Sequence, residues 1–177
     1  MDTIFDIWTW SWIIGITLAK EYDPANVYLL EKSKKAIEVA SENVRNLGAD
    51  VRIFESDLLG DVFADPEKYV WLDKRVYFAV NLPYIKDNDW KNMSEDTVLE
   101  PKMALFGWKK TWFELYEKFF KQIFEFKSIF KPEYIWVVAE IWFDQEEIAN
   151  NFFDWIWIRI RILPDLSGVN RFITFEI

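Results

Sequence analysis

The stretch Thr3-Ile4-Phe5-Asp6-Ile7-Trp8-Thr9-Trp10-Ser11-Trp12-Ile13-Ile14-Gly15-Ile16 decides how this chain folds. Thr3 to Ile7 is a β-branched and aromatic run, and Ile13 to Ala19 is apolar and able to wind as a helix. The polar-studded segment between them therefore reads as a strand-to-helix turn. A second buried-strand run, Val27 to Leu30, ends in an acid, Glu31. Strand, turn, helix and acid-tipped strand are the opening unit of a nucleoside-binding α/β domain. In such a unit glycines alternate along the turn so that bare backbone approaches the ligand, and the downstream acid takes the ribose hydroxyls. Spacing and context are met here, but Trp8, Trp10 and Trp12 stand where the glycines belong.

Working outward, Ser33 caps a helix running to about Leu47, with Ala36, Val39, Ala40, Val44 and Leu47 on one face and Gly48 just beyond. Val51 to Phe54 is a third strand ending at Ser56-Asp57, and Val76 to Val80 a fourth ending at Asn81. Residues 82–111 form a long polar connection, and loops of that length in compact domains tend to carry function. Trp112 to Phe126 has helical spacing and is taken as core, Tyr134 to Ala139 is a fifth strand ending at Glu140, and Asp144 to Phe153 is a further helix. Ile156 to Ile162 and Phe172 to Ile177 alternate as an antiparallel pair around a turn at Pro164 to Asn170. Strands alternating with helices specify a mostly parallel sheet covered on both faces, whose ligands lie at the carboxyl ends of the strands. Asp6, Glu31, Asp57, Asn81 and Glu140 all fall at those ends.

A chain of 177 residues, 51% hydrophobic and 29% charged, suits one domain over 1–177. The net charge of -9 offers no cationic track for a polyanion, which argues against nucleic acid as partner. With no Cys and no His, disulfides, thiolate or imidazole metal sites and Ser-His nucleophile pairs are excluded, so no metal is expected and chemistry falls to Asp, Glu, Asn, Tyr or a bound cofactor. The apolar run Ile4 to Ala19 carries Asp6, lacks a basic leader and is too short to span a bilayer as a helix, so a cytoplasmic protein without a membrane role is expected. Glycine is scarce: 5 against 11 tryptophans, where average usage predicts about a dozen.

Asn81-Leu82-Pro83-Tyr84, at the end of the fourth strand, resembles the (Asn/Asp)-Pro-Pro-Tyr element of methyltransferases that act on planar amino or amide nitrogens. An NH2 group presents two donors in one plane, so a side-chain carbonyl and a backbone carbonyl hold it. Asn81 Oδ1 and the Leu82 carbonyl supply those acceptors, Pro83 fixes the bend and Tyr84 packs on the flat group. Glu100-Pro101-Lys102-Met103-Ala104-Leu105 is similar to an E-P-x-x-A-L segment and Phe106 to Trp112 to a glycine-rich stretch. Ala139 to Gln145 is similar to an E-x-G-x-x-Q strand end, and Asp165 to Arg171 to a D-x-x-G-x-x-R hairpin. Together, in this order and over essentially the whole chain, they resemble the HemK-type release-factor glutamine methyltransferases. That resemblance implies a Rossmann-like class I methyltransferase fold and S-adenosylmethionine as cofactor. It implies Asp6 and the loop Trp8, Thr9, Trp10, Ser11 and Trp12 around the methionine part, Glu31 on the ribose and Asp57 with Leu58 at the adenine. Asn81, also beside the cofactor, would grip with Leu82, Pro83 and Tyr84 a glutamine amide on a peptide-chain release factor. Adenine-N6 methyltransferases of RNA or DNA share Asn-Leu-Pro-Tyr but neither the E-P-x-x-A-L nor the closing segment. A fold-retaining protein-binding module without catalysis is the alternative from another class.

At Trp8, Trp10, Trp12, Trp108, Trp112 and Trp142 the family pattern has glycine. A gene that uses UGA as a glycine codon, translated with UGA as tryptophan, produces this pattern. Three indoles at Trp8, Trp10 and Trp12, each with about 150–250 Å² to bury, would then fill the cofactor's own space. Trp136 and Trp157 sit inside strand patterns and read as true tryptophans. The helical domain that precedes the first strand in the family is expected to be absent here.

Overall fold

Side-chain alternation along the strands divides the apolar residues between two layers, as a sheet covered on both faces requires. Residues 2–8, 12–22, 26–69, 75–83 and 113–177 are described by a computed structural model. The strands are β1 Asp2–Ile7, β2 Asn26–Glu31, β3 Arg52–Glu55, β4 Arg75–Val80, β5 Tyr134–Glu140, β6 Arg161–Pro164 and β7 Asn170–Glu176. They form one seven-stranded sheet in the order β3-β2-β1-β4-β5-β7-β6. The pairs from β3 through β5 are parallel, while β7 runs antiparallel to both β5 and β6. The expected mostly parallel sheet with a closing antiparallel hairpin is the one observed.

The helices are α1 Ile13–Glu21, α2 Lys34–Leu47, α3 Gly60–Ala64, α4 Glu114–Phe130 and α5 Glu146–Trp155, with a 3-10 turn at Pro66–Lys68. One layer gathers Phe5, Ile7, Tyr28, Leu30, Val76, Phe78 and Val80 from the sheet with Tyr116, Phe119, Phe120, Ile123 and Phe126 from α4. Phe5 and Phe78 stack at 5.2 Å, and Phe126 meets Phe78 edge-on at 5.5 Å. The other layer holds Ile4, Trp12, Ile16, Val27, Leu29 and Ala40. Each fully buried aliphatic or Phe side chain contributes about 1.5–3 kcal/mol, so these layers fix the sheet and hence the row of residues at its carboxyl edge. No helix among the described residues is long and apolar enough to cross a membrane.

Several local expectations are corrected. Val39 and Leu47 are exposed, and α2 buries Ala36 and Ala40 instead, because small side chains let the helix lie close to the sheet. α4 begins at Glu114 and runs on to Phe130, where Lys131 adopts φ 51° and Pro132 bars continuation. The short α3 lies between the third and fourth strands, where the sequence reading placed no element. The largest departure is at Ile156 to Arg159, which is no strand. The end of α5 closes there, with the Trp157 N–H donating to the Asp154 carbonyl at 3.2 Å and the Ile158 N–H to the Phe153 carbonyl at 3.1 Å. Alternation of Ile156, Ile158 and Ile160 mimicked a strand across this turn, and β6 starts only at Arg161.

Candidate active site at the carboxyl ends of the strands

Three backbone hydrogen bonds just past the strand ends bring the polar residues into one row. Ser56 N–H donates to the Glu31 carbonyl at 2.7 Å, Trp8 N–H to the Leu30 carbonyl at 3.0 Å, and Asn81 N–H to the Ile7 carbonyl at 3.3 Å. Strand order then sets Asp57, Glu31, Trp8, Asn81 and Glu140 side by side along one edge. With neighbouring strands about 4.8 Å apart, the backbones at Glu31 and Asn81 lie roughly 10 Å from one another. β1 sends its chain to β2 on one side and is flanked by β4 on the other, the switch point at which such sheets bind ligands.

Glu31 is the most informative residue of the row. It is buried, and its Oε1 accepts from Ser33 N–H at 2.7 Å and Lys32 N–H at 2.9 Å. Its Oε2 is also buried and meets no hydrogen-bond partner among the described residues. Burial pushes the carboxyl above its usual range, against the opposing pull of the Ser33 and Lys32 amides. Half the carboxylate is thus fixed by its own turn. Ser33 also caps α2, its Oγ accepting from Ala36 N–H at 3.4 Å.

Asp57 is held differently. Its Oδ2 meets Lys118 Nζ of α4 at 3.0 Å and Lys32 Nζ at 3.2 Å. Burial raises the carboxyl, but these two ammonium groups outweigh that and hold it below the usual carboxylate range. Leu58 turns at φ 58° and is buried, with Ser56 Oγ donating to its carbonyl at 2.7 Å. Asp6 lies fully buried beneath the row, and its Oδ2 accepts from Gly15 N–H at 2.7 Å. A Cβ on Gly15 would run into Leu29 Cδ2 and stand 2.8 Å from that same Oδ2, so glycine lets α1 approach β1 here. Asp6 therefore sets the angle of α1.

Trp12 is drawn into the core. Its indole is fully buried in the layer with Ile4, Ile16, Val27, Leu29 and Ala40, so no part of it faces an open crevice. Its Nε1 is buried without a hydrogen-bond partner among the described residues. Trp8 is half-buried and packs against the larger layer. Thr9, Trp10, Ser11 and Tyr84 lie outside the described residues, as do Trp108, Trp112 and the segment Glu100 to Leu105.

Beyond β4, Leu82 and Pro83 are buried and Asn81 is half-buried. Tyr116 of α4, taken from the sequence as core alone, donates its hydroxyl to the Leu82 carbonyl at 3.2 Å and also contacts the Glu140 carbonyl. It ties the end of β4 to the end of β5. Gln145, in the strand end after Glu140, is buried and accepts from Trp142 N–H at 3.0 Å. In the closing hairpin Asp165 Oδ1 accepts from Ser167 and Val169 N–H at 2.8 and 3.0 Å. Arg171 reaches Asp165 at 3.4 Å and lies 5.0 Å over the Trp142 ring, which joins the hairpin to the β5 turn.

No family model matches the chain. It is 32% identical over 177 residues to the release factor glutamine methyltransferase of Bacillus anthracis, covering 98% of this chain and 59% of that protein. To the protein of the same name from Bacillus subtilis it is 29% identical over 172 residues, 95% of this chain and 56% of that one. The chain thus spans a little under three-fifths of the length of these curated relatives. Among solved structures, the N-terminal domain of human METTL16 in complex with SAH superposes with a TM-score of 0.62 at 11% identity, covering 99% of this chain and 60% of that one. The ribosomal protein L11 methylase of Lactobacillus delbrueckii subsp. bulgaricus does so with a TM-score of 0.56 at 14% identity, covering 98% and 67%. By architecture, then, this is a class I methyltransferase fold, and by sequence the chain is similar to the release factor glutamine methyltransferase of Bacillus anthracis along 98% of its own length.

Proposed function

We propose that the chain is the catalytic segment of an S-adenosylmethionine-dependent enzyme that methylates the side-chain amide nitrogen of a glutamine in a peptide-chain release factor. One observation carries this: a buried acceptor, Glu31 Oε2, and a braced carbonyl, that of Leu82, stand on the same strand-end row on either side of the β1 turn. The first suits the ribose hydroxyls of a nucleoside cofactor, and the second, with Asn81 Oδ1, suits the paired hydrogens of an amide NH2. The names of the relatives support the glutamine substrate.

S-adenosylmethionine supplies, when bound, a methyl group on a sulfonium that is open to nucleophilic attack. The chain's own part is positioning and polarisation. Asn81 and the Leu82 carbonyl hold the NH2 in one plane and turn its lone pair toward the β1 turn, and such orientation supplies several kcal/mol of about 7–11 available to well-aligned reactants. As positive charge develops on nitrogen, the same two acceptors draw on its protons. Tyr116, by bonding the Leu82 carbonyl, keeps that acceptor in place, and Asp57 with Leu58 border the adenine.

The test is transfer of labelled methyl to a recombinant release factor by the chain carrying Trp8, Trp10 and Trp12→Gly. Label is expected on one glutamine. Asn81→Ala is expected to abolish transfer while cofactor binding changes little, and transfer undiminished in Asn81→Ala would overturn the assignment.

A further inference from the structure

The backbone sorts the tryptophans in a way that sequence patterns do not. Five non-glycine residues have positive φ among the described residues, and three of them are tryptophans: Trp8 at 60°, Trp12 at 58° and Trp157 at 59°. A left-handed conformation brings Cβ against the following carbonyl, a clash that bulky residues rarely accept and glycine lacks. Trp8 and Trp12 bracket the turn after β1. Trp157, read from the sequence as a strand tryptophan, is on the opposite side of that reading.

Trp157 follows α5 in the same hydrogen-bond pattern by which Gly48 closes α2. At α2, Gly48 N–H donates to the Arg45 carbonyl and Ala49 N–H to the Val44 carbonyl, with Gly48 at φ 62°. At α5, Trp157 N–H donates to the Asp154 carbonyl and Ile158 N–H to the Phe153 carbonyl. This doubly bonded closure calls for glycine at its left-handed position. Trp157 gains nothing there from its side chain, which is 94% exposed. Trp12, at the mouth of α1, caps nothing with its side chain and buries an indole N–H that finds no partner among the described residues.

We infer that Trp157, together with Trp8 and Trp12, marks a glycine of the polypeptide made in its own cell, where UGA is read as glycine. The inference rests on backbone angles and holds whatever reaction the site performs. It means that glycines flank the turn after β1 at 8 and 12 in the cellular protein, and that both α2 and α5 end on glycine.

Two measurements test it. Mass spectrometry of the endogenous protein is expected to read glycine at 8, 12 and 157, with UGA at those codons; UGG at codon 157 would overturn it. In recombinant protein, Trp157→Gly is expected to raise Tm by about 2–8 °C, the relief of one left-handed tryptophan in a domain of this size. Trp155→Gly, two residues away in α5 and also exposed, is expected to lower it, since glycine weakens a helix. A fall in Tm for Trp157→Gly matching that of Trp155→Gly would refute the conformational argument independently of the codons.

Discussion

Replacing Glu31 with Gln separates the two halves of its carboxylate. The Gln amide oxygen takes the place of Oε1 and keeps the Ser33 and Lys32 N–H bonds of 2.7 and 2.9 Å, so the β2 turn stays closed. The amide NH2 takes the place of Oε2, where it sets donors in front of ribose hydroxyls in place of a charged acceptor. A hydrogen bond to a charged group contributes about 1.5–3 kcal/mol, so cofactor affinity is expected to fall roughly 10- to 150-fold. Calorimetry with S-adenosylhomocysteine measures this on the Trp8, Trp10, Trp12→Gly chain with and without Glu31→Gln. Binding within twofold of the parent would refute the ribose assignment, and failure of the parent itself to bind would count against the whole site.

pH offers an independent check on the same residue. Burial raises the folded Glu31 carboxyl above its ordinary 4.5, so the native chain holds this proton more tightly than the unfolded chain. Stability from that source is fully present below 4.5 and is lost as pH rises through the raised value. Cofactor binding, which needs the ionised acceptor, runs the opposite way and strengthens over that same rise. In Glu31→Gln both dependences are expected to vanish; a pH profile unchanged by the substitution would assign it to another group.

Tyr116→Phe keeps the ring and removes the hydroxyl that donates to the Leu82 carbonyl. With that acceptor released, kcat is expected to fall about 10-fold or more while the calorimetric Kd for S-adenosylhomocysteine stays within twofold, and equal losses in both would make Tyr116 merely structural. Ser33→Ala removes the cap of α2; because its bond to Ala36 is long at 3.4 Å, denaturant unfolding is expected to report a loss at the low end of the usual range, about 0.5–1 kcal/mol.

The parallel sheet was legible because its parallel strands are short apolar runs with a polar residue at or near the end, and those residues form the candidate site. Asp6 is the penultimate residue of β1, Glu31 the last of β2, Asn81 follows β4 directly and Asp57 lies two residues past β3, so all four fall at strand ends in both sequence and structure. What the tips do was less legible. Asp6, for instance, accepts from Gly15 N–H of α1 through its Oδ2, a contact the sequence does not announce. Asp57 is held by Lys118, which lies 61 residues away, and the Leu82 carbonyl by Tyr116, 34 residues away. Both partners come from α4, whose apolar period gave no sign of them: Tyr116 is on the buried face because it is aromatic, and its hydroxyl uses that placement.

The end of α5 was misread for a different reason, and it shows what a substituted glycine does to pattern reasoning. Helix ends are found in sequence by glycine, as Gly48 marks α2. With tryptophan at 157, the signal turns into its opposite, because an aromatic between the β-branched Ile156 and Ile158 extends a strand-prone run. The hydrogen bonds of the closure persist regardless, since they join backbone to backbone through Asp154 and Phe153. The same reversal operates at Trp8 and Trp12, where a turn that needs open backbone carries two large apolar side chains, one of them drawn into the core. In each case the fold keeps the angle that glycine would take at no steric cost, so φ at these positions records the glycine that the letter conceals.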